Sequence, residues 1–190
     1  INKLGEHLDT VTPQNFLMPS EDGLTIRKFG PWTKEKLYYI EGYLKIISVA
    51  MKNQTRCDLN YIDLFCGSGK CKIEEPFEIV FGSPLIALSL ENPFSNLFFA
   101  DKSHDNIAAL QQRCSKSNLF DRIHFYEGDS NQKVHEIISD IEFIEKSKGK
   151  TPNSSLNCAF WCPPKSVRNF ASPITNFLLK RPTKSRPLLW

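Results

Sequence analysis

The sequence predicts an α/β fold in which a mostly parallel sheet is covered by helices on both faces. Short apolar segments typical of strands alternate with segments of helical period from residue 59 onward. Helix start signals follow the strand-like segments, and strict alternation of this kind requires crossover connections between parallel strands. The sequence supplies about four strands and no defensible fifth strand after them, so the predicted sheet is incomplete for a doubly wound fold.

Before the alternation begins, residues 1–32 read as an extended leader with turn signals and no sustained period. Thr33 is the predicted cap of an amphipathic helix over 33–52. Its apolar residues recur at helical spacing and predict one buried face: Leu37, Ile40, Leu44, Ile47 and Met51.

The predicted domain, residues 33–162, continues with four strands and three further helices. The strands are predicted at 59–65, 96–100, 122–127 and 156–161. A helix over 85–90 is predicted to start with Ser83 as its cap and Pro84 in its first turn. Ser103 is the predicted cap of a helix carrying Ile107, Leu110 and Cys114. Ser130 or Asn131 is the predicted cap of the last helix, which carries Val134, Ile137, Ile138, Ile141 and Ile144 on one stripe.

Composition indicates an ordinary globular domain. The length of 190 residues suits one domain. No apolar run is long enough for a membrane helix and no signal pattern opens the chain, so we expect no membrane contact and a cytoplasmic location. Six cysteines without secretory context predict reduced, packed thiols rather than disulfides, and no ligand set at zinc spacing is present. The thiols expected to pack are Cys57, Cys66, Cys71 and Cys114.

Residues 163–190 differ from the rest of the chain. They contain six basic residues, no acidic residue and five prolines. One interpretation is a solvated terminus, and another is a tail that contacts nucleic acid. A third is a non-native tail produced by a frameshift or a truncation near residue 162. Ile1 in place of methionine adds to the expectation of a fragment.

The stretch YIDLFCGSGK (61–70) predicts a glycine turn at the end of the first long strand. A P-loop is excluded because Leu64 stands where its first glycine is required and Cys71 follows the lysine. A dinucleotide fingerprint is weakened because Lys72 stands at its third glycine. The pattern of Asp63, Phe65, Gly67 and Gly69 instead resembles the first motif of S-adenosylmethionine-dependent methyltransferases.

Acidic residues follow the next two strands, with Asp101 after the second and Asp129 after the third. A carboxylate after the second strand can accept hydrogen bonds from both ribose hydroxyls, and an acceptor after the third can meet an adenine amine. Aspartate is also common at helix caps. Three aspartates in register with two glycines favour a nucleoside site.

A closer resemblance covers residues 8–161, which are similar to the three-Cys-motif partner proteins. The Gly-Pro-Trp-Thr leader and the insertion before the Gly-Ser-Pro helix start are the most specific features. The similar segments are 30–44, 61–72, 81–88, 99–110 and 128–131.

The resemblance implies a Rossmann-like, three-layer αβα sheet of the methyltransferase type, S-adenosylmethionine as cofactor, and a three-Cys-motif protein as partner. It implies that Asp63, Gly67 and Gly69 line the methionine end of the cofactor, that Asp101 takes the ribose and that Asp129 takes the adenine. The chain departs from the family at Cys162, which stands where an acidic residue facing the methyl group is expected. No catalytic residue is therefore assigned, and the methyl acceptor is not indicated.

Three functions stay open from the sequence. The first is methyl transfer, the second is a catalytically inactive partner domain, and the third is nucleic-acid binding through the basic tail. The methyltransferase-type sheet that the resemblance implies has more strands than the four predicted here, and its fifth strand would flank the fourth. Without that fifth strand the outer edge of the fourth strand is unpaired. We therefore expect the isolated chain to be poorly soluble unless a partner or the tail covers that edge.

Overall fold

The structure, a computed structural model, describes residues 18–52, 58–75, 77–150 and 155–160. Seven strands and four α-helices lie within this part of the chain. In chain order they are β1 (Arg27–Phe29), α1 (Trp32–Met51), β2 (Leu59–Asp63), β3 (Lys70–Glu74), β4 (Phe77–Phe81), α2 (Ser83–Leu88), β5 (Asn96–Asp101), α3 (His104–Cys114), β6 (Ile123–Glu127), α4 (Ser130–Ser147) and β7 (Leu156–Phe160).

The central sheet is parallel and has four strands in the order β6-β5-β2-β7. These are the four strands predicted from the sequence, so the α/β class is confirmed. Within the described part of the chain, β7 has β2 as its one hydrogen-bonded neighbour. All four strands end at the same edge of the sheet, and their carboxyl ends carry Asp63, Asp101 and Glu127.

A row of buried asparagines crosses three strands of this sheet. Asn60 of β2 lies in register with Asn96 of β5 on one side and Asn157 of β7 on the other. The Asn96 amide donates to Asn60 Oδ1 at 2.7 Å, and the Asn60 amide donates to Asn157 Oδ1 at 2.9 Å. Buried amides are costly unless they are paired, so the row fixes the register of the three strands.

Helices cover both faces of the central sheet, because successive strand residues point to opposite sides. Tyr61, Leu97 and Phe99 belong to a core shared with α1, α2 and α3. Ile62 and Phe98 belong to a second core shared with α4. The buried face of α1 includes Leu37, Ile40, Leu44 and Ile47, as the helical spacing predicted.

The N-cap residues of three of the four helices differ from those predicted from the sequence. Ser103 caps α3, as predicted, and accepts a hydrogen bond from the Asn106 amide. Asp129, not Ser130 or Asn131, caps α4. Pro31 stands at the cap of α1, so Thr33 lies inside the helix, and its buried hydroxyl has no hydrogen-bond partner among the residues that the structure describes. Gly82 stands at the cap of α2, because the Ser83 side chain bonds elsewhere.

A second, three-stranded sheet of order β1-β3-β4 was not predicted. The antiparallel β3–β4 hairpin follows the glycine turn, and β1 pairs with β3 in parallel. The sequence was interpreted as an insertion at the hairpin and as an extended leader at β1. Each strand is short and mixes charged with apolar residues, and this weakens the period-two signal.

The leader is tied to the glycine turn by buried charges. Arg113 of α3 binds both carboxylate oxygens of Asp22, at 2.7 and 2.8 Å, and donates to the carbonyls of Thr25 and Ser68. Lys70 binds Asp22 at 2.8 Å. Because both basic side chains are almost wholly buried, these contacts fix residues 20–25 against the turn.

Several predictions concern residues outside the described ranges. These include Cys57, Trp161, Cys162, the tail 163–190 and residues 1–17 of the leader. Among the helices of the described ranges, none combines the length and the apolar character that crossing a bilayer would require.

Candidate cofactor-binding site

The glycine turn leaves β2 and enters β3 rather than a helix. The sequence predicted an insertion between this turn and the next helix, and the β3–β4 hairpin forms that insertion. The Gly82 amide donates to the Gly69 carbonyl at 2.7 Å, which closes the base of the hairpin. Because the hairpin returns the chain to its starting point, α2 begins beside the glycine turn, as it would if the helix followed the turn directly.

The two glycines have different surroundings. Both have positive φ angles, 62° at Gly67 and 88° at Gly69, so both backbones favour glycine. A Cβ at Gly67 would meet nothing within 4 Å, whereas one at Gly69 would lie 2.7 Å from Leu110 Cδ1 and 3.2 Å from Leu85 Cγ. The absence of a side chain leaves open space at Gly67. At Gly69 the same absence lets the hydrophobic core approach the turn.

Asp101 holds the glycine turn from the end of β5. Its Oδ2 accepts from the Gly67 amide at 3.0 Å, while Oδ1 accepts from the Ser103 amide at 2.9 Å and the Asn106 side chain at 3.0 Å. A carboxylate offers about four lone-pair sites. Hydrogen bonds from the described residues occupy three of them, and one acceptor site on Oδ2 has no partner among these residues.

Asp63 is a buried carboxylate at the end of β2. It accepts from the Ser83 hydroxyl at 2.5 Å, from the Phe65 amide at 3.1 Å and from the Tyr61 hydroxyl at 3.3 Å. Burial raises the pKa of this carboxyl above its ordinary value, and the Ser83 hydrogen bond opposes that shift. Burial also raises the pKa of the Tyr61 hydroxyl well above its ordinary value, so Tyr61 is a donor to Asp63 at neutral pH.

Asp129 lies at the same edge of the sheet but in a more exposed position. Its Oδ1 accepts from the Asn131 amide at 2.9 Å as the cap of α4. The next residue, Ser130, donates to the Leu64 carbonyl at 2.9 Å, which fixes the start of α4 beside the glycine turn. The Gly128 amide donates to the Asp101 carbonyl at 3.0 Å. Asp129 is therefore near the turn, with one carboxylate oxygen outside the capping bond.

A cavity of about 160 Å³ opens between the glycine turn, α1, β1 and the start of α2. Three of the five predicted cofactor residues line it, namely Asp63, Gly67 and Gly69. Asp101 lies one hydrogen bond behind its wall, through Gly67, and Asp129 is not among its lining residues. The other lining residues, among them Arg27, Trp32, Lys36 and Ser83, were not predicted as site residues.

The cavity combines cationic and aromatic groups around one buried acid. Arg27 and Lys36 contribute positive charge, whereas Lys70 is paired with Asp22, and Phe29 and Trp32 contribute ring surface. The Gly-Pro-Trp-Thr segment was interpreted as a helix start and as a family feature. Its tryptophan, Trp32, is the residue of that segment that could have indicated this part of the cavity wall. Because the lining carries more cations than acids, it suits a ligand that bears an anionic group beside an apolar or aromatic part.

The cysteines near the site are protonated thiols at neutral pH. Burial raises the pKa of Cys71 to about 11 and that of Cys114 to about 12, and raises the pKa of Cys66 well above its ordinary value. All three are free, as predicted. A protonated thiol is a poor nucleophile.

Within the described ranges, no cluster of three or more His, Cys, Asp or Glu side chains is placed to hold a metal ion. The site is therefore built of one buried carboxyl group, a backbone turn and a cationic wall. No protein-family model matches this chain, and the comparison with curated proteins also finds no match.

Proposed function

We propose that this chain is a methyltransferase-like domain of the three-Cys-motif partner type, which binds S-adenosylmethionine at the glycine turn. The order β6-β5-β2-β7 supports a Rossmann-like sheet, since numbering these strands along the chain gives 3-2-1-4. That order is shared by doubly wound nucleotide-binding sheets, in which ligands bind beyond the carboxyl ends of the strands.

The observation that carries the proposal is the open space at Gly67 inside a cavity that also contains Asp63. The space lies at the carboxyl end of β2, and the cavity wall is cationic and aromatic. A methionine carboxylate suits the cationic lining, whereas the Asp63–Ser83 pair suits a polar hydrogen-bonding group.

The remaining aspartates support a nucleoside beside the cavity. Asp101 has one acceptor site left, enough for one ribose hydroxyl rather than both. The second oxygen of Asp129 is the acceptor we assign to the adenine amine. Asp101 is thus first a structural support of the turn, and its contact with the ribose is the smaller part of its role.

The chemistry we propose is transfer of the sulfonium methyl group to an acceptor by in-line displacement. Because the sulfonium is already a good leaving group, the domain acts mainly by positioning donor and acceptor. We assign no general base. The second candidate function is a partner of a three-Cys-motif protein that binds the cofactor without transferring the methyl group. Cys162, which stands where the resemblance expects an acidic residue facing the methyl group, favours this candidate.

The test is calorimetric titration of the purified chain with S-adenosylmethionine, comparing Gly67→Ala with Gly149→Ala. Both glycines have similar positive φ angles, 62° and 67°, and a Cβ at either would meet nothing within 4 Å. The backbone strain is therefore matched, and only the first variant places a methyl group in the cavity. We expect binding to weaken at least tenfold in Gly67→Ala and to be unchanged in Gly149→Ala.

Absence of binding by the unmodified chain would remove the proposal, and equal binding by both variants would move the site away from the turn. Binding without label transfer from methyl-labelled cofactor to the co-purified three-Cys-motif partner favours the inactive-partner function.

A further inference from the structure

Helix α1 has an apolar outer face opposite the one that it buries in the core. We define this outer face of α1 as Trp32, Glu35, Tyr39, Gly42, Ile46 and Val49. Its four large apolar side chains each leave between 55% and 69% of their surface exposed. A surface helix normally presents polar residues on that side. An apolar stripe of this length marks an interaction surface rather than scattered exposure.

The spacing of the outer face is that of a helix-pairing seam. Trp32, Tyr39 and Ile46 are seven residues apart, and so are Glu35, Gly42 and Val49. The two sets alternate at intervals of three and four residues, which is the a/d pattern of paired helices. The pattern extends over nearly the whole of the 20-residue helix.

We propose that the outer face of α1 packs antiparallel against the same face of a second copy of this chain. With the two-fold axis between Ile40 and Glu41, Tyr39 of each copy lies over Gly42 of the other. Gly42 has no neighbouring atom within 4 Å of the position of a Cβ, so it leaves a depression for the Tyr39 ring. Trp32 then packs beside Val49 of the other copy. Each contact occurs twice, as symmetry requires.

The charges of the face select this orientation. Within the described part of the chain Glu35 has no salt bridge, and Lys45 pairs with Glu41 of its own helix at 2.6 Å. Antiparallel packing brings Glu35 close to Lys45 of the second copy and places the exposed ring of Tyr38 beside the same ammonium group. Parallel packing would instead place Glu35 beside Glu35, which is repulsive, and would put the two Lys45 side chains on opposite flanks of the pair, away from Glu35 of the other copy.

The pairing would also reach the cavity. Trp32 belongs both to the outer face and to the cavity wall. Contact with Val49 of the second copy would therefore fix the ring that closes one side of the cavity, so that the second copy acts on the site through Trp32.

Sedimentation of the full chain over a range of concentrations tests the pairing, with Gly42→Gln as the disrupting variant. Glutamine is a better helix former than glycine, so the fold of one copy is preserved while the depression is filled. We expect dimers in the unmodified chain and at least tenfold weaker association in Gly42→Gln. Phe143→Ser, which removes an equally exposed ring from α4, is the control and leaves association unchanged.

Disulfide trapping tests the orientation. When Trp32→Cys and Val49→Cys chains are mixed and oxidised, cross-links are expected between the two variants in preference to links between identical ones. A mixture with the unmodified chain corrects for the native thiols. A chain that stays monomeric, dimers that Gly42→Gln leaves intact, links mainly between identical variants, or a dimer abolished only by removing residues 161–190 would each overturn the proposal.

Discussion

The carboxylate of Asp101 accepts a hydrogen bond from the amide of Gly67 at 3.0 Å, across 34 positions of sequence. The contact joins the end of β5 to the turn that follows β2. Since the same carboxylate also caps the approach to α3 through Ser103 and Asn106, one buried side chain positions three backbone segments at the carboxyl edge of the sheet.

Replacing Asp101 therefore alters the fold before it alters binding. We expect Asp101→Ala to lower the free energy of unfolding by about 3 kcal/mol, because it leaves buried donors unpaired. Asp101→Asn keeps one acceptor oxygen and is expected to cost less. Urea denaturation measures both, with the exposed neighbour Asp105→Asn as the control. A loss in Asp101→Ala no larger than that in the control would contradict the structural role.

The two glycines of the turn should respond differently to alanine. Gly67→Ala introduces left-handed backbone strain alone, of about 1–2 kcal/mol. Gly69→Ala adds a collision with Leu110 and Leu85, for a total of about 2–4 kcal/mol. Thermal or urea unfolding of the two variants measures the difference. Equal losses of stability would mean that Gly69 is not pressed against the core.

The Asp63–Ser83 pair predicts a pH-dependent cost. Removing the hydroxyl in Ser83→Ala deletes a hydrogen bond to a charged group, which is worth about 1.5–3 kcal/mol when the carboxyl is ionised. The pKa of Asp63 is raised by burial, and losing Ser83 raises it further, so the cost is larger above that pKa than below it.

Unfolding free energies at pH 7 and pH 4 measure this difference for Ser83→Ala. Ser89→Ala is the matched control, because the Ser89 hydroxyl donates to a neutral carbonyl close to the same helix. Its cost is expected to be independent of pH. A cost for Ser83→Ala that does not change with pH would show that Asp63 does not titrate in this range.

Asp22 should make the fold sensitive to acid. The Arg113 guanidinium, followed by Lys70, holds the pKa of this carboxyl far below its ordinary value of 3.8. A depressed pKa gives stability that is present above 3.8 and is lost as the pH falls through the folded value.

We expect Asp22→Asn to cost about 2 kcal/mol at pH 7, where it leaves the buried Arg113 without its charged partner. Its stability should also fall less steeply than that of the unmodified chain between pH 4 and pH 2. Denaturation at a series of pH values tests both expectations. Identical slopes for the two chains would contradict the assigned pKa shift.

The asparagine row offers a test of the sheet. Asn60→Ala removes the central member and leaves the amides of Asn96 and Asn157 without their partner, at an expected cost of about 2–4 kcal/mol. Asn60→Asp keeps an oxygen that can accept from the Asn96 amide, but it loses the amide group that donates to Asn157 Oδ1. Urea unfolding ranks the variants, and a cost for Asn60→Ala below that of an ordinary surface substitution would show that the row is not a stabilising element.

The sequence predicted the central sheet well, because its strands carry dense apolar runs and its helices carry a clear apolar stripe. Leu97, Phe98 and Phe99 leave little alternative to a strand buried on both faces. The second sheet was missed since β1 and β3 depend on long-range pairing of mixed segments, such as Arg27 opposite Cys71. Local pattern carries no such information.

For the site, the sequence identified the carboxyl edge but not the partners of its residues. Asp63 was predicted to face a ligand, and it lines the cavity beside Ser83. Asp101 was predicted to bind ribose, and most of its hydrogen-bonding capacity is used within the protein. A motif states which residue type a position needs, whereas the number of acceptors left for a ligand depends on folded neighbours.

The asparagine row also bears on how the chain folds during synthesis. Asn60 and Asn96 leave the ribosome well before Asn157, so in a nascent chain with only β2, β5 and β6 docked the Asn60 side-chain amide still lacks its Asn157 partner. Docking of β7 in register gives the Asn60 amide its hydrogen-bond partner, whereas a strand that docks one residue out of register leaves the amide unpaired. We therefore expect the polar row to favour the docking of β7 in register over a slipped pairing.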